Sequence, residues 1–422
     1  MRSVRFTLGA ARGSRELFAA VLLLALAGCG YGDNGCYYSC GPPVAVNTPN
    51  SVAIADINGD GVPDLAVATT IDTGAMSNAG FANVIRGVAS PAGTFATGVQ
   101  YSTTGSNPSG IVAADLMNSG NIDLVVSNFG SGSISFFMHG ATKGTFQPGV
   151  NIATGGQPNQ VVAGDLTGSG ASLDLALADN SPSGNAIVLL HDPANPGQFQ
   201  TPIMLATGNF TPSVAIGSIG NGKVAVVAAT YDVNGNNGKV YVFVETATSP
   251  VTFAAPVTFP AGAQPQAVRI ADVNGDSLPD LVVANFGPGG DGTGVAGVSV
   301  LLQDNANPGN FLAPVTYATP HGAIDVAVGD LNGDNRPDLV VASVDPDFTG
   351  GVSVLLQSST TAGTFGTATV YSGFGQPLSV AIGDLNGDTH PDIAVADGTS
   401  ATVLLQSATA PGTFANPVQV GN

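Results

Sequence analysis

Four nine-residue segments of this 422-residue chain place three carboxylates and a carboxamide at fixed offsets: Asp56–Asp64, Asp272–Asp280, Asp330–Asp338 and Asp384–Asp392, each reading Asp-x-Asn-Gly-Asp-x-x-Pro-Asp. Carboxylates held this close repel one another, and a hard cation taking oxygen ligands would resolve the conflict. Positions 1, 3 and 5 offer side-chain oxygens, the carbonyl at position 7 offers a fourth, and the Asp at position 9 closes the cage. The expected ligands are therefore Asp56, Asn58, Asp60, Val62 and Asp64; Asp272, Asn274, Asp276, Leu278 and Asp280; Asp330, Asn332, Asp334, Arg336 and Asp338; and Asp384, Asn386, Asp388, His390 and Asp392. Val62, Leu278, Arg336 and His390 would contribute only their carbonyls, with the His390 ring in solvent. Gly at position 4 permits a tight reversal, and Pro at position 8 gives up an N–H where no ladder bond is needed. The protein fills the donor positions itself, so the expected ions are structural Ca2+, about four of them. The same offsets also suit a set of Asx-turns with no ion.

The phrase is part of a repeat. Weaker copies begin at Asp115 (DLMNSGNID), Asp165 (DLTGSGASLD) and Ser218 (SIGNGK), so seven copies start 50 to 59 residues apart. A turn ending in Phe recurs in the same register at Phe95, Phe146, Phe199, Phe253, Phe311, Phe365 and Phe414. Each unit holds four short runs rich in Val, Leu and Ile and bounded by Gly, Pro, Asn or Asp, the signature of strands. Four strands in each of seven units predict an all-β chain, a seven-bladed β-propeller of four-stranded antiparallel blades. An open solenoid is the competing architecture, but it should carry atypical capping repeats, and the seventh unit is as regular as the fifth. Ring closure stays open: Val44–Val46 and Pro417–Val420 both resemble a fourth strand, and one of them suffices.

Three units depart from the acidic pattern. Met117 and Ser119 replace the Asn and Asp of positions 3 and 5 in the second, an extra residue precedes Asp174 in the third, and the fourth lacks the acids. No tight metal site is expected in the fourth; the second and third are undecided.

SVAIGDLNGD…PDIAVA at Ser379–Ala396 and SVLLQ…PGNFLAPVTY at Ser299–Tyr317 resemble the FG-GAP/VCBS repeats of integrin-like propellers, and the resemblance extends over residues 43–422. It implies structural calcium in the loop joining strands one and two of a blade.

The first 28 residues read as an export signal: Arg2, Arg5, Arg12 and Arg15, then an apolar run from Leu17 to Ala27, too short to span a bilayer. Leu26-Ala27-Gly28-Cys29 resembles a bacterial lipoprotein signal, which implies cleavage before Cys29, lipid on its sulfur and, by default, the outer membrane. A plain secretory signal is the alternative. Residues 29–42 form a tether in which Cys36 and Cys40 could pair in an oxidising compartment, and residues 43–422 form the propeller.

The whole chain carries 10 basic and 29 acidic side chains, a net charge of −19. Such a surface excludes nucleic acid, whose phosphates need clustered Lys and Arg. Only 9% of residues are charged but 44% are apolar, enough to bury a core. There is no Gly-x-Ser-x-Gly elbow or His-Glu-x-x-His motif, and the four His recur in no common repeat position, so the chain is not expected to be an enzyme. Strand parity puts the acidic loops and Phe turns on one face and the variable two-to-three loops on the other. Phe81, Tyr231, Phe286 and Phe348 are the exposed candidates for a partner face. The reading is a monomeric, lipid-anchored, calcium-binding adhesion or binding module of the cell envelope, with an envelope protein or glycan as partner. A non-catalytic scaffold subunit is the alternative, and a propeller enzyme acting on polysaccharide or lipid a more distant one.

Overall fold

The computed structural model describes residues 46–421 apart from 73–77, 171, 221, 233, 236–237, 288–294 and 345–349. The readings of the leader, of Cys29, Cys36 and Cys40, of the tether and of Phe348 lie outside the described residues.

Each repeat folds as one antiparallel sheet with its strands in sequence order. In blade five these are Pro265–Ala271, Asp280–Asn285, Gly297–Leu301 and Val315–Ala318. The strand patterns follow from position in the ring. The second strand of blade five is buried at every residue because neighbouring blades cover both of its faces. The outer strand shows mostly exposed residues. Blade four adds a short strand, Val251–Phe253, paired with Gly238–Thr248. Among the described residues the one helical turn is the 3-10 segment Phe129–Ser131. This is the expected seven-bladed propeller.

The seven first strands lie against one another in succession, and that of blade seven lies against that of blade one. Apolar clusters of 9 to 13 buried residues each straddle a blade boundary, all seven boundaries being covered. Full burial of one Val, Leu or Ile is worth about 1.5–3 kcal/mol, so these boundaries, rather than any one sheet, hold the core.

A second tie runs around the axis. The first strands of blades one to six carry a register shift near their starts, at Pro49/Ser51, Pro108/Gly110, Pro158/Gln160, Phe210/Ser213, Pro265/Ala267 and Ala323/Asp325. Proline has no N–H to give a ladder, so it sits where the ladder breaks. The residue just after the shift reaches the next blade, as does Ser379 at the equivalent position of blade seven, whose first strand has no shift. Ser51 Oγ accepts from Ile111 N (3.3 Å), Gln160 Oε1 from Val214 N (2.9 Å), Ser213 Oγ from Val268 N (3.0 Å), Asp325 Oδ2 from Val380 N (3.1 Å) and Ser379 Oγ from Val52 N (3.5 Å). Gly110 and Ala267 hold this position in blades two and five and have no side-chain oxygen to offer. Arg269 instead ties blade five to blade six through an ion pair with Asp325.

The open question of closure is answered by the C-terminus. Val418–Val420 pairs with the strand Ala401–Leu404 and completes blade seven, while Val46 begins the innermost strand of blade one, opposite Asp72.

Candidate metal centres

Each acidic loop joins the first and second strands of its blade, and position 9 opens the second strand: Asp64, Asp280, Asp338 and Asp392 are the first residues of theirs. All four are fully buried. Their carboxylates are held from two directions. Asp338 Oδ2 accepts from Leu331 N (2.9 Å), at position 2 of its own loop, and Oδ1 accepts from Gln357 N (2.7 Å), just beyond the third strand. The same pair of bonds holds Asp64 (Ile57 N 3.0 Å, Gly87 N 2.9 Å), Asp280 (Val273 N 3.0 Å, Gln303 N 2.7 Å) and Asp392 (Leu385 N 2.9 Å, Gln406 N 2.7 Å). Position 9 therefore pins the loop to the third strand, a structural role the sequence reading did not assign.

Position 1 organises the turn. Asp330 Oδ1 accepts from Gly333 N (2.7 Å) and Asp334 N (3.1 Å), and Oδ2 from Asn335 N (2.7 Å). Asn332 Oδ1 accepts from Asp334 N (2.9 Å), and Asp334 Oδ1 from Arg336 N (3.0 Å). Loops one, five and seven repeat this net around Asp56, Asp272 and Asp384. The Arg336 guanidinium donates to the carbonyl of Ser358, and the His390 ring leans onto Asp388 with Nδ1 3.3 Å from Oδ1.

The weaker copies separate turn chemistry from metal chemistry. Asp115 accepts from Ser119 N (2.8 Å) and Gly120 N (2.7 Å), and Asp165 from Ser169 N (3.2 Å) and Gly170 N (2.9 Å). Asp123 and Asp174 are buried at the head of the second strand and accept from His139 N and His191 N, both at 2.9 Å. Positions 1 and 9 are thus occupied in six blades by the needs of the fold. The Asn at position 3 and the second carboxylate at position 5 occur only in the four strong loops, and the turn does not require them: Ser119 meets the backbone at position 5 with a hydroxyl, accepting from Asn121 N at 3.3 Å.

That extra carboxylate leaves a charge conflict. Burial pushes the carboxyls of Asp280, Asp338 and Asp392 up to about 6, and the carboxylates at positions 5 and 1 push in the same direction. Asp64 is raised by the same causes, burial first and then Asp60. Three carboxylates, an amide and a carbonyl are hard oxygen donors, so the donor set fits calcium in kind. Asp334 Oδ1 and both oxygens of Asp338 each accept one N–H and keep a second lone pair, whereas Asp330 Oδ1 already accepts two. Among the described residues, however, no three His, Cys, Asp or Glu side chains converge as a ready cluster.

Loops and Phe turns share one face, and they interlock. A Cβ placed on the turn residue Gly144 would meet Asn58 Cβ at 2.8 Å, and on Gly363 it would meet Asn274 Cβ at 3.1 Å, so the turn of each of these blades rests on the acidic loop of the blade before it. The turn Phe pairs across its hairpin with Gly87, His139, His191, Glu245, Gln303, Gln357 or Gln406 in blades one to seven. This register corrects the reading of the histidines: His139 and His191 do share a repeat position, in the second and third units. His139 Nδ1 lies 2.8 Å from Asp123 Oδ1. Sequence inspection could have found the pair by counting back from Phe146 and Phe199.

Of the partner-face candidates, Phe81, Tyr231 and Phe286 are half-buried rather than exposed. Phe81 lies in the third strand opposite Thr69, Tyr231 stacks on Phe210 (5.7 Å, 18°), and the Phe286 ring packs close beside Gly322. They pack because loop aromatics lose more water-exposed area against the ring than they would keep in solvent.

The FG-GAP-like repeat pattern matches residues 219–283, 274–341 and 334–395, and the FG-GAP repeat pattern matches residues 48–80. A comparison with curated proteins finds no match. Among solved structures, the BP39L lectin from Burkholderia pseudomallei is 16% identical with a TM-score of 0.61, over 89% of this chain and 99% of that one. BBS1N, solved in complex with ARL6DN, is 13% identical with a TM-score of 0.52, over 88% of this chain and 97% of that one. At these identities the likeness is one of fold. The chain is thus a seven-bladed β-propeller that carries FG-GAP and FG-GAP-like repeats.

Proposed function

We propose that the chain is a calcium-stabilised binding or adhesion module, lipid-anchored through Cys29 at the bacterial cell envelope. The observation that carries the calcium reading is the carboxylate at position 5: Asp60, Asp276, Asp334 and Asp388 add charge that the turn does not need, beside a buried Asp that already resists ionisation. Calcium held by positions 1, 3, 5, 7 and 9 would offset two of the three negative charges of each loop. Four ions would offset eight of the chain's negative charges.

A binding role rests on the rigid ring, on the variable two-to-three loops opposite the acidic face, and on an expected partner that is an extracellular or envelope protein or a glycan. The two fold relatives are a lectin and a propeller solved bound to another protein; the second also favours the alternative, a scaffold subunit without a ligand of its own. The test is thermal unfolding of the leader-free Cys29→Ser protein in calcium and in excess chelator, with bound metal counted by mass spectrometry. Near four ions and a large fall in Tm on chelation are expected, because a ligand of the native state stabilises by mass action. No metal and no shift would reduce the loops to turns. Affinity capture from envelope extracts separates the roles: a stoichiometric envelope protein supports the scaffold, and captured glycan or foreign surface protein supports adhesion.

A further inference from the structure

Blade one is taller than the blade that closes the ring against it. Its first two strands run Val46–Ala55 and Asp64–Asp72, whereas those of blade seven run Ser379–Gly383 and Asp392–Ala396. The last two strands of blade seven, Ala401–Leu404 and Val418–Val420, are shorter still. At the outer-strand position where Tyr101, Tyr317 and Tyr371 pack on the next blade's turn Phe (ring centroids 5.2, 5.3 and 5.6 Å), blade seven has Val420. The short blade and the small side chain leave a cleft of about 280 Å3 along the face of blade one.

Asn47, Thr69, Asn83 and Gln100 line it from blade one, Thr399 and Ser400 from blade seven, and Val67 and Ile85 give it an apolar floor. The blade-seven wall is fixed by the buried Asp397, whose Oδ1 accepts from Thr399 Oγ1 and Ser400 N, both at 2.7 Å. Among the described residues no charged side chain lines the cleft, in a chain of net charge −19. Asn83 Oδ1 is buried there without a hydrogen-bond partner. A buried acceptor left unpaired is costly, and turning the Asn83 carboxamide from Gly98 into the cleft would let a ligand hydroxyl satisfy it.

We propose that this cleft binds one neutral sugar ring. Amides and hydroxyls on the walls match ring hydroxyls, and the Val67–Ile85 floor suits a C–H face. The absence of a countercharge disfavours ionic ligands, since a buried charge needs a partner. The volume lies just below the about 300–1,000 Å3 of sites that hold drug-sized molecules, which suits a single ring. This site rests on the binding-module reading but not on calcium, because it arises from unequal strand lengths.

The experiment is saturation-transfer NMR and titration of the leader-free protein with the methyl glycosides of glucose, galactose, mannose, fucose and N-acetylglucosamine, with glucuronic acid as a charged control, in calcium and in chelator. Saturable binding of at least one neutral glycoside at millimolar Kd, and none of glucuronic acid, is expected. Asn83→Leu should weaken it by about tenfold or more with Tm unchanged or raised, since its Oδ1 has no bond to lose. Gln100→Ala, at an exposed position, should weaken it with the fold intact. No saturation by any neutral glycoside up to about 50 mM, a water-filled cleft only, or binding indifferent to Asn83→Leu would overturn the proposal. Binding retained in a protein that holds no metal would uphold the cleft and sink the calcium reading alone.

Discussion

Gln357 reaches across a blade boundary to Val273: its Nε2 donates to the Val273 carbonyl at 2.8 Å and to the Pro337 carbonyl of its own blade at 2.7 Å. Val273 is position 2 of the acidic loop of blade five, so one side chain braces the loops of two blades. Gln303 and Gln406 hold the equivalent carbonyls of Pro279 and Pro391, both at 2.6 Å. Gln357→Ala should cost about 1–2 kcal/mol, the usual toll of unpaired buried acceptors. Calcium titration of the variant should show weakened sites in both blade five and blade six; a loss confined to blade six would contradict the brace.

Positions 5 and 9 should behave oppositely on mutation. Asp338→Ala removes the acceptor of two buried N–H groups and should destabilise the chelated protein by about 2–4 kcal/mol. Asp334 is exposed, and its carboxylate answers to the Arg336 N–H and the proposed ion. Asp334→Ser, the residue the second unit uses, should leave chelated stability within about 0.5 kcal/mol but remove one calcium from the count. Urea unfolding and metal analysis on the same samples decide it.

The raised carboxyls fix the sign of a pH dependence in chelator. Asp280, Asp338 and Asp392 titrate near 6 in the fold and near 3.8 when unfolded. Folding therefore takes up protons between these values. The associated stability is full below the unfolded value and lost as pH rises through 6. Metal-free protein should melt higher at about pH 5 than at about pH 7.5. With calcium present the order should invert, because protons then compete with the ion for the same oxygens. Scanning calorimetry at both pH values reads both signs.

Among the described residues the Arg269–Asp325 pair is the one place where the axial belt uses charge. Asp325 is 7% exposed and also accepts from Val326 N and Val380 N. Arg269→Val alone should cost about 2–4 kcal/mol, since it strands a mostly buried carboxylate. Val112 and Val162 hold the Arg269 position in blades two and three, and Ser51, Ser213 and Ser379 hold the Asp325 position in blades one, four and seven. The double variant Arg269→Val, Asp325→Ser should recover most of the loss in urea unfolding.

The period and the strand count were legible because turn chemistry tolerates few residue types: Gly at position 4 and Asp at positions 1 and 9 are dictated locally. The axial belt was not legible. Ser51, Gln160, Ser213, Asp325 and Ser379 share a position but not a residue type, since any side-chain acceptor satisfies the next blade's N–H. The half-burial of Phe81, Tyr231 and Phe286 was missed for a related reason, as loop length says nothing of which aromatic folds back onto the ring. The acidic loops were legible as ligand sets or as Asx-turns, whereas Asp64, Asp280, Asp338 and Asp392 are first of all struts between a loop and a third strand.

The unswapped closure has a mechanical consequence. Load entering at Val46 acts along Val46–Ala55, which is matched to its neighbour at nine residue pairs from Val46–Asp72 to Ala55–Asp64, so those pairs share the force in shear. Load entering at the other end meets Val418–Val420, held by three pairs on the rim, which can peel one at a time. Pulled from its N-terminal side, the ring resists along its axis; pulled from its C-terminal side, it unravels from the edge.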